Sequence, residues 1–347
     1  MSLPPHAATP SPAVPAEADQ LAGRPVRWGV VGAGAMAAAF AAALATLEGH
    51  ELACVGARDG ARAARFAATH GCARHCEGYD EVYADEAVDV VYVATTHPEH
   101  LGQAKAAIEA GKAVLVEKPL TLNAEQAREV FDLARRRGVF AMEAMWLRTQ
   151  PLLCEVARLV QEGTIGDLVH VSAEFAVSID YDAEHRLFDL GNGGGALLDL
   201  GVYPAAFVWM FLGEPDSVQV MGSLAPTGAD QVVAMQWGYE TGAVASIFTS
   251  SQAAGPNRAC LIGRRGWIEL AEPFWRSPGW AVVHVDGEAD RRIDVPSEGY
   301  AHQAVEVERC LRAGVLESPL MPHADTIGVL EILDAARSEL GVRYPQE

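Results

Sequence analysis

Lysine is scarce in this sequence, and one lysine stands where it could do chemistry. Of 26 basic residues, only Lys105, Lys112 and Lys118 are lysines, so arginine carries most of the positive charge. Lys118 lies in Glu117-Lys118-Pro119, directly after Ala113–Val116, an apolar run that reads as a buried strand. Open α/β sheets gather their ligands at such strand tips. A compact ammonium there can titrate and steady developing negative charge, which a guanidinium does not do in the same way. A surface lysine beside a turn proline would look the same. The second stretch is Glu184 to Pro204, with Gly193-Gly194-Gly195, Asp199 and Tyr203. Triple glycine permits close backbone approach or positive φ. Asp199 and Tyr203 are four apart, so one helical turn puts a carboxylate and a phenol on one face. Pro204 then requires the helix to kink or restart. A capping aspartate and a core tyrosine fit this pattern equally.

A third stretch suits phosphate. Val26–Val31 is apolar and is followed by Gly32-Ala33-Gly34-Ala35-Met36-Ala37 and an alanine-rich helical segment through Leu47. In strand, G-x-G-x-x-A, helix, the first glycine permits the tight turn and the second admits a pyrophosphate. The small third residue lets helix and strand pack closely. The helix N-terminus then faces the phosphates. The next strand, Leu52–Val55, leads to Ala57-Arg58-Asp59. A carboxylate at this tip reads the ribose 2′-hydroxyl of NAD, whereas an arginine accommodates the 2′-phosphate of NADP. Arg58 takes the tip, and Asp59 is placed to cap the helix Ala61–Thr69. NADP is therefore the expected cofactor, and NAD is possible if Asp59 reads the ribose.

These residues need elements to hold them. Strand and helix alternate through Val88–Ala94, His100–Ala110, Ala113–Val116, Ala124–Arg137 and Val139–Met142, the pattern of a parallel doubly wound sheet. His97 falls at a strand tip within reach of a ligand, and His100, in the next helical turn, reads as structural. Pro151 opens a helix to Glu162. Leu168–Val177 then alternates as a strand with one exposed or interface face. Further strand-like runs follow at Ser217–Ser223, Gln231–Trp237, Ala243–Ser250, Ala259–Gly263 and Trp267–Leu270. Helical patterns at Ala301–Ala313 and Ala324–Leu340 close the chain. The fold expected is α/β. Residues 25–148 form a Rossmann dinucleotide-binding domain. Residues 149–347 form an α+β domain for substrate and oligomerisation, with a large, mostly antiparallel open sheet. Its outer face would serve a homodimer or tetramer.

The 347 residues carry a formal charge of −20. Nucleic acid and anionic membranes require a basic face, so neither is an expected partner. No apolar run reads as a membrane span. Residues 1–24, rich in proline and alanine, read as a disordered tail and lack the build of a secretory signal. Six scattered cysteines without C-x-x-C fit reduced thiols in a cytoplasm. His70, Cys72, His75 and Cys76 lie close in sequence, but no second ligand cluster follows. They read as a helix-to-strand loop, with no metal expected.

Taken together, the turn at 32–37, Thr95-Thr96-His97-Pro98-Glu99-His100, Glu117-Lys118-Pro119 and the segment 193–203 resemble the Gfo/Idh/MocA family (glucose–fructose oxidoreductase, inositol dehydrogenase). The resemblance runs from residue 26 to about 340. Glu143–Arg148 and Arg186–Pro204 are most similar to its dimeric dihydrodiol dehydrogenases and NADP-dependent D-xylose dehydrogenases. Tyr203 departs from the inositol dehydrogenase pattern, where many relatives have histidine. The resemblance implies hydride transfer between nicotinamide and a sugar, polyol or cyclic trans-diol, or the matching carbonyl. It implies Tyr203 as general acid/base, its pKa lowered by Lys118, which also holds the reacting oxygen. Asp199 would orient Lys118 or a sugar hydroxyl. Cofactor contacts are implied for Gly32, Gly34, Ala35, Met36, Arg58, Thr95, His97, Glu117 and Lys118, and a cis bond for Pro119. Trp146, Arg148, Arg186 and Phe188 are the implied substrate wall. A catalytically silent cofactor-binding sensor and an NAD-dependent glycosidase are the competing readings. Retention of Lys118, Asp199 and Tyr203 speaks against the sensor.

Overall fold

Valine-rich runs without polar alternation must be buried on both faces, and they make the centre of the first sheet. The computed structural model describes residues 21–276 and 278–347. Its first sheet contains β1 (Val26–Val31), β2 (His50–Ala57), β3 (Arg74–Glu77), β4 (Val90–Val93), β5 (Ala113–Glu117) and β6 (Ala141–Ala144). They are all parallel, in the order β3-β2-β1-β4-β5-β6. The crossovers carry α1 (Ala35–Leu44), α2 (Gly60–His70), α3 (Asp80–Ala84), α4 (His100–Glu109) and α5 (Ala124–Arg137). Strand order reverses between β1 and β4, which opens a ligand crevice at the strand tips.

Three sequence expectations shift here. The segment read as a loop over 70–76 contributes β3, a short edge strand whose single buried residue, Cys76, leaves no alternation to read. The strand expected at Val139–Met142 starts two residues later. Gly138 ends α5 in the left-handed conformation and the Val139 amide still bonds to Ala134 O, so the helix cap uses these residues. Residues 21–24, expected in the tail, belong to the folded body. Leu21 is buried and Arg24 pairs with Asp89 at 2.6 Å. Residues 1–20 lie outside the described residues.

The second half begins with α6 (Pro151–Gln161) and β7 (Leu168–Ala176). A π-helical turn, Leu197–Gly201, runs into α7 (Val202–Leu212). There follow β8 (Ser217–Leu224), β9 (Asp230–Gly238), β10 (Val244–Ser250), β11 (Ala259–Gly263), β12 (Gly266–Leu270), β13 (Trp280–Val285) and β14 (Arg291–Asp294). The sheet order is β14-β13-β12-β11-β7-β10-β9-β8. Only β7 and β10 pair in parallel among these neighbours. The sequence reading stopped at β12, so β13 and β14 widen the sheet beyond expectation. The stretch Leu190–Leu212 is long and apolar enough to cross a membrane by length and composition, contrary to the sequence reading. However, 94% of its most apolar 18 residues is buried inside the protein, as a core helix would be.

The chain closes with α8 (Ala301–Ala313) and α9 (His323–Leu340), which return to the first sheet and pack against α1 and α5 respectively. Polar contacts fix α9 there. His323 Nε2 bonds to Ala141 O at 2.8 Å, and Thr326 donates to Glu143 at 2.9 Å. Arg148 and Asp325 form a buried ion pair at 2.7 Å. Asp334 accepts from the Ala124 amide at 2.8 Å.

Candidate active site

The glycine turn after β1 fits a dinucleotide. Gly32 has φ +98°, and a Cβ there would sit 2.5 Å from Ala94 O, so only glycine makes the turn. At Gly34 the nearest atom to an added Cβ is Arg62 Nη2, 3.9 Å away, which leaves room for a phosphate. Gly34 caps α1 without a side chain, so the amides of the first turn, Ala35 and Met36 among them, face outward for an anion. Arg62 reaches back from α2 to donate to Ala33 O at 2.9 Å. Arg58 is exposed at the β2 tip, just before the Asp59 that caps α2. Asp59 spends Oδ1 capping α2, on the Ala61 and Arg62 amides at 2.8 and 3.1 Å. Thr95, just past β4, has a buried hydroxyl oxygen without a partner at the crevice edge. These residues match the phosphates and 2′-phosphate of a nicotinamide dinucleotide. Arg62, in the first turn of α2, was not singled out in the sequence, although it lies only four residues past Arg58.

At the tip of β5 the other functional groups converge. The Lys118–Pro119 bond is cis, as expected. Lys118 Nζ donates to Asp199 O at 2.8 Å and to Asp199 Oδ1 at 3.1 Å. It lies 4.9 Å from the centroid of the Tyr203 ring. The other two lysines serve elsewhere, Lys105 on Glu129 and Lys112 on backbone carbonyls. Arg186 donates to Asp199 Oδ2 at 2.9 Å, and His97 Nε2 is 3.6 Å from Oδ1. Burial opposes ionisation of Asp199. The charges of Lys118 and Arg186 outweigh it and hold the carboxyl well below its usual range. Burial pushes His97 down to about 3, so it is neutral near pH 7. Its Nδ1 bonds to Gly193 O at 3.2 Å. Both ring nitrogens of His100 meet backbone carbonyls, of Pro119 and Thr95, which makes it the structural histidine of the pair. Glu117 turns inward to accept from Tyr92 and from the Lys118 amide, and burial raises its pKa.

The expected lowering of the Tyr203 pKa by Lys118 is corrected. Burial raises the phenol, and the nearby Glu117 charge raises it further. The ammonium faces the ring and is bound to Asp199. The hydroxyl instead accepts from Trp146 Nε1 at 2.9 Å. Tyr203 is therefore a neutral phenol here.

Two residues expected in the substrate wall stand elsewhere. Arg148 is fully buried on Asp325, where it ties α9 to the turn after β6. Phe188 is buried edge-on against Tyr181, ring centroids 5.1 Å apart. Trp146 and Arg186 are at the centre through their contacts with Tyr203 and Asp199. Aromatic side chains that the sequence did not single out surround Trp146 and Tyr203. Tyr300 packs on Trp146 at 4.4 Å, Phe175 meets Tyr203 edge-on at 5.4 Å, and Trp275 stacks on Phe175 at 4.1 Å. Glu143 was also missed as a structural acid. Its carboxylate accepts from the Leu120 amide at 3.0 Å, just past the cis proline. Its position at the end of an apolar strand was the available signal. Among the described residues, no group of three or more His, Cys, Asp or Glu side chains could hold a metal.

A phosphate-ready turn, a switch-point crevice and a buried lysine–phenol pair define a nicotinamide-dependent oxidoreductase. Comparison with known proteins agrees. Residues 26–145 match the oxidoreductase family with NAD-binding Rossmann fold, and residues 154–269 match the GFO/IDH/MocA C-terminal domain. The trans-1,2-dihydrobenzene-1,2-diol dehydrogenase of Macaca fascicularis is 36% identical over 334 residues, covering 93% of this chain and 99% of the relative. The Homo sapiens enzyme of that name is 35% identical over 334 residues, with the same coverage. KijD10, a 3-ketoreductase from Actinomadura kijaniata solved with NADP and TDP-benzene, is 27% identical with a TM-score of 0.79. The match covers 91% of this chain and 98% of that one. Levoglucosan dehydrogenase, solved with NADH and levoglucosan, shares the fold. Its TM-score is 0.83 at 21% identity, over 92% of this chain and 98% of that one. The chain belongs to the GFO/IDH/MocA oxidoreductase family and is an NAD(P)-dependent oxidoreductase.

Proposed function

We propose that the protein transfers hydride between NADP and a secondary alcohol of a cyclic trans-diol or sugar, or reduces the matching carbonyl. The carrying observation is the Lys118 ammonium, fixed by Asp199 directly over the Tyr203 ring at the β5 tip. The names of the dihydrodiol dehydrogenase relatives support a diol. The aromatic wall of Trp146, Tyr300, Phe175 and Trp275 suits the apolar face of a ring substrate. The cofactor would supply the hydride acceptor or donor. Lys118 stabilises negative charge on the substrate oxygen. Tyr203 exchanges the proton of that oxygen, and a neutral phenol favours donation to it, as carbonyl reduction requires. Arg58 and Arg62 support NADP over NAD.

Residues 25–148 would bind cofactor, and 149–347 substrate. The six cysteines among the described residues are free, which fits a reducing cytoplasm. The outer face of the second sheet supports a homodimer.

The test is a scan of aldoses, inositols, cyclic diols and their ketones, followed by reduced-nicotinamide absorbance. Lys118→Met and Tyr203→Phe should each lower kcat by roughly 10²–10⁴-fold, with cofactor binding retained. Arg58→Ala should raise KM for NADP and spare NAD. Full turnover in both Lys118→Met and Tyr203→Phe would sink the assignment. Tight NADP binding without turnover across the panel would favour a sensor.

A further inference from the structure

Lys118 and Asp199 are 81 residues apart, so their contact depends on how two turns are held together. One turn, Leu120 to Asn123, leads from Lys118 into α5. The other, Leu190 to Gly195, leads into the π turn that bears Asp199. Leu122 packs directly on Gly193, where a Cβ would come within 2.6 Å of Leu122 Cδ2. Residues 344–347 join the same two turns from outside. Gln346 Nε2 donates to Gly191 O at 2.7 Å. The Glu347 carboxylate accepts from Arg337 at 2.7 and 3.2 Å and from Asn123 Nδ2 at 3.3 Å. It also accepts from the Tyr344 amide at 3.1 Å. Arg337 is 3% exposed and donates to Leu122 O at 3.2 Å. Its guanidinium lies over the buried Tyr344 ring, 4.4 Å from the centroid.

We propose that Tyr344-Pro345-Gln346-Glu347 is a strap that positions the site. Through Arg337 and Asn123 it holds the turn after Lys118, and through Gln346 it holds the turn before Asp199. The distance from the ammonium to Asp199 and Tyr203 is thereby set at a point remote from the chemistry. None of the four residues touches the reacting atoms, so they are positioning residues. A forked guanidinium–carboxylate pair, its arginine buried and its carboxylate partly exposed, supplies direction as well as strength. Pro345 limits the strap's own freedom.

The kinetic arm of the test rests on the dehydrogenase reading, and the exchange arm does not. Gln346→Ala and Glu347→Ala change side chains at the protein's edge and should fold. Each should lower kcat about 10-fold or more, since a 1 Å misplacement costs up to ~10²-fold. KM for NADP should hold. Glu347→Gln, which keeps an acceptor for Arg337 and Asn123, should recover most of the rate. Amide hydrogen exchange over residues 118–123 and 191–199 should quicken in both alanine variants. Unchanged kcat in variants of an active parent overturns the strap, and so does unchanged exchange in both segments. An inactive parent overturns the dehydrogenase reading, while exchange still judges the strap.

Discussion

Glu143 shows how much a single acid is asked to do at a strand tip. Both of its oxygens are taken, one by the Leu120 amide and one by Thr326. Burial nevertheless pushes it up from 4.5 to about 7, with Lys118 pulling the other way. A raised carboxyl pKa means that the folded state holds its proton more tightly than the unfolded chain. Stability therefore falls as pH rises from about 4.5 to about 7, and this contribution levels off above. Glu143→Gln keeps an acceptor for the Leu120 amide and cannot ionise. Its thermal unfolding temperature should fall less steeply across that window, the removed penalty being on the order of 3 kcal/mol. An unchanged slope would place the titration on another group. Lys118 was legible in the sequence because lysine is scarce there, and Asp199 and Tyr203 because the family resemblance singled them out from a pattern that a cap and a core tyrosine would also give. Glu143 was not singled out, because an acid at the end of an apolar strand does not reveal its partners, the Leu120 amide and Thr326, 23 and 183 residues away. Arg148 misled for a related reason, since its burial on Asp325 depends on a partner 177 residues away.

Among the elements, the π turn and α7 carry most of the site, and β9 holds their start. Asp230, the first residue of β9, accepts from the Leu197 amide at 2.5 Å. Gly195, at φ +131°, lets its other oxygen approach, since a Cβ there would lie 2.3 Å from Asp230 Oδ1. Asp230→Ala should cost about 1–3 kcal/mol, the penalty of leaving a buried amide unpaired. It should also lower kcat, because Asp199 and Tyr203 follow from that amide. Thermal melts and steady-state rates check both. Helical spacing and the restart at Pro204 announced this element in the sequence. The acid that caps it did not, because Asp230 lies 33 residues from the Leu197 amide and at the start of a strand whose pairing the sequence does not give. β14 escaped because its four residues face largely outward and leave no alternation to read.

At the scale of the whole molecule, one face of the second sheet stands out. Met221 is 77% exposed and Phe248 37%, and both align with Ala234 across β8, β9 and β10. Val244 and Ile262 flank His170 on the same face. Exposed apolar side chains so arranged are what the proposed dimer interface would need. Met221→Glu combined with Phe248→Glu should convert a dimer to monomer by light scattering, and a monomeric parent would remove the proposal. The two-sheet architecture was legible because the hydrophobic period changes near residue 150. What the linear order concealed is the return of α8 and α9. Ala141, Glu143, Arg148 and Ala124 all find partners on α9. A chimera that exchanges only the first 148 residues with a relative would therefore inherit four mismatched ends of a lock. Recombination should respect the closing helix, moving it with the nucleotide half or leaving both in place.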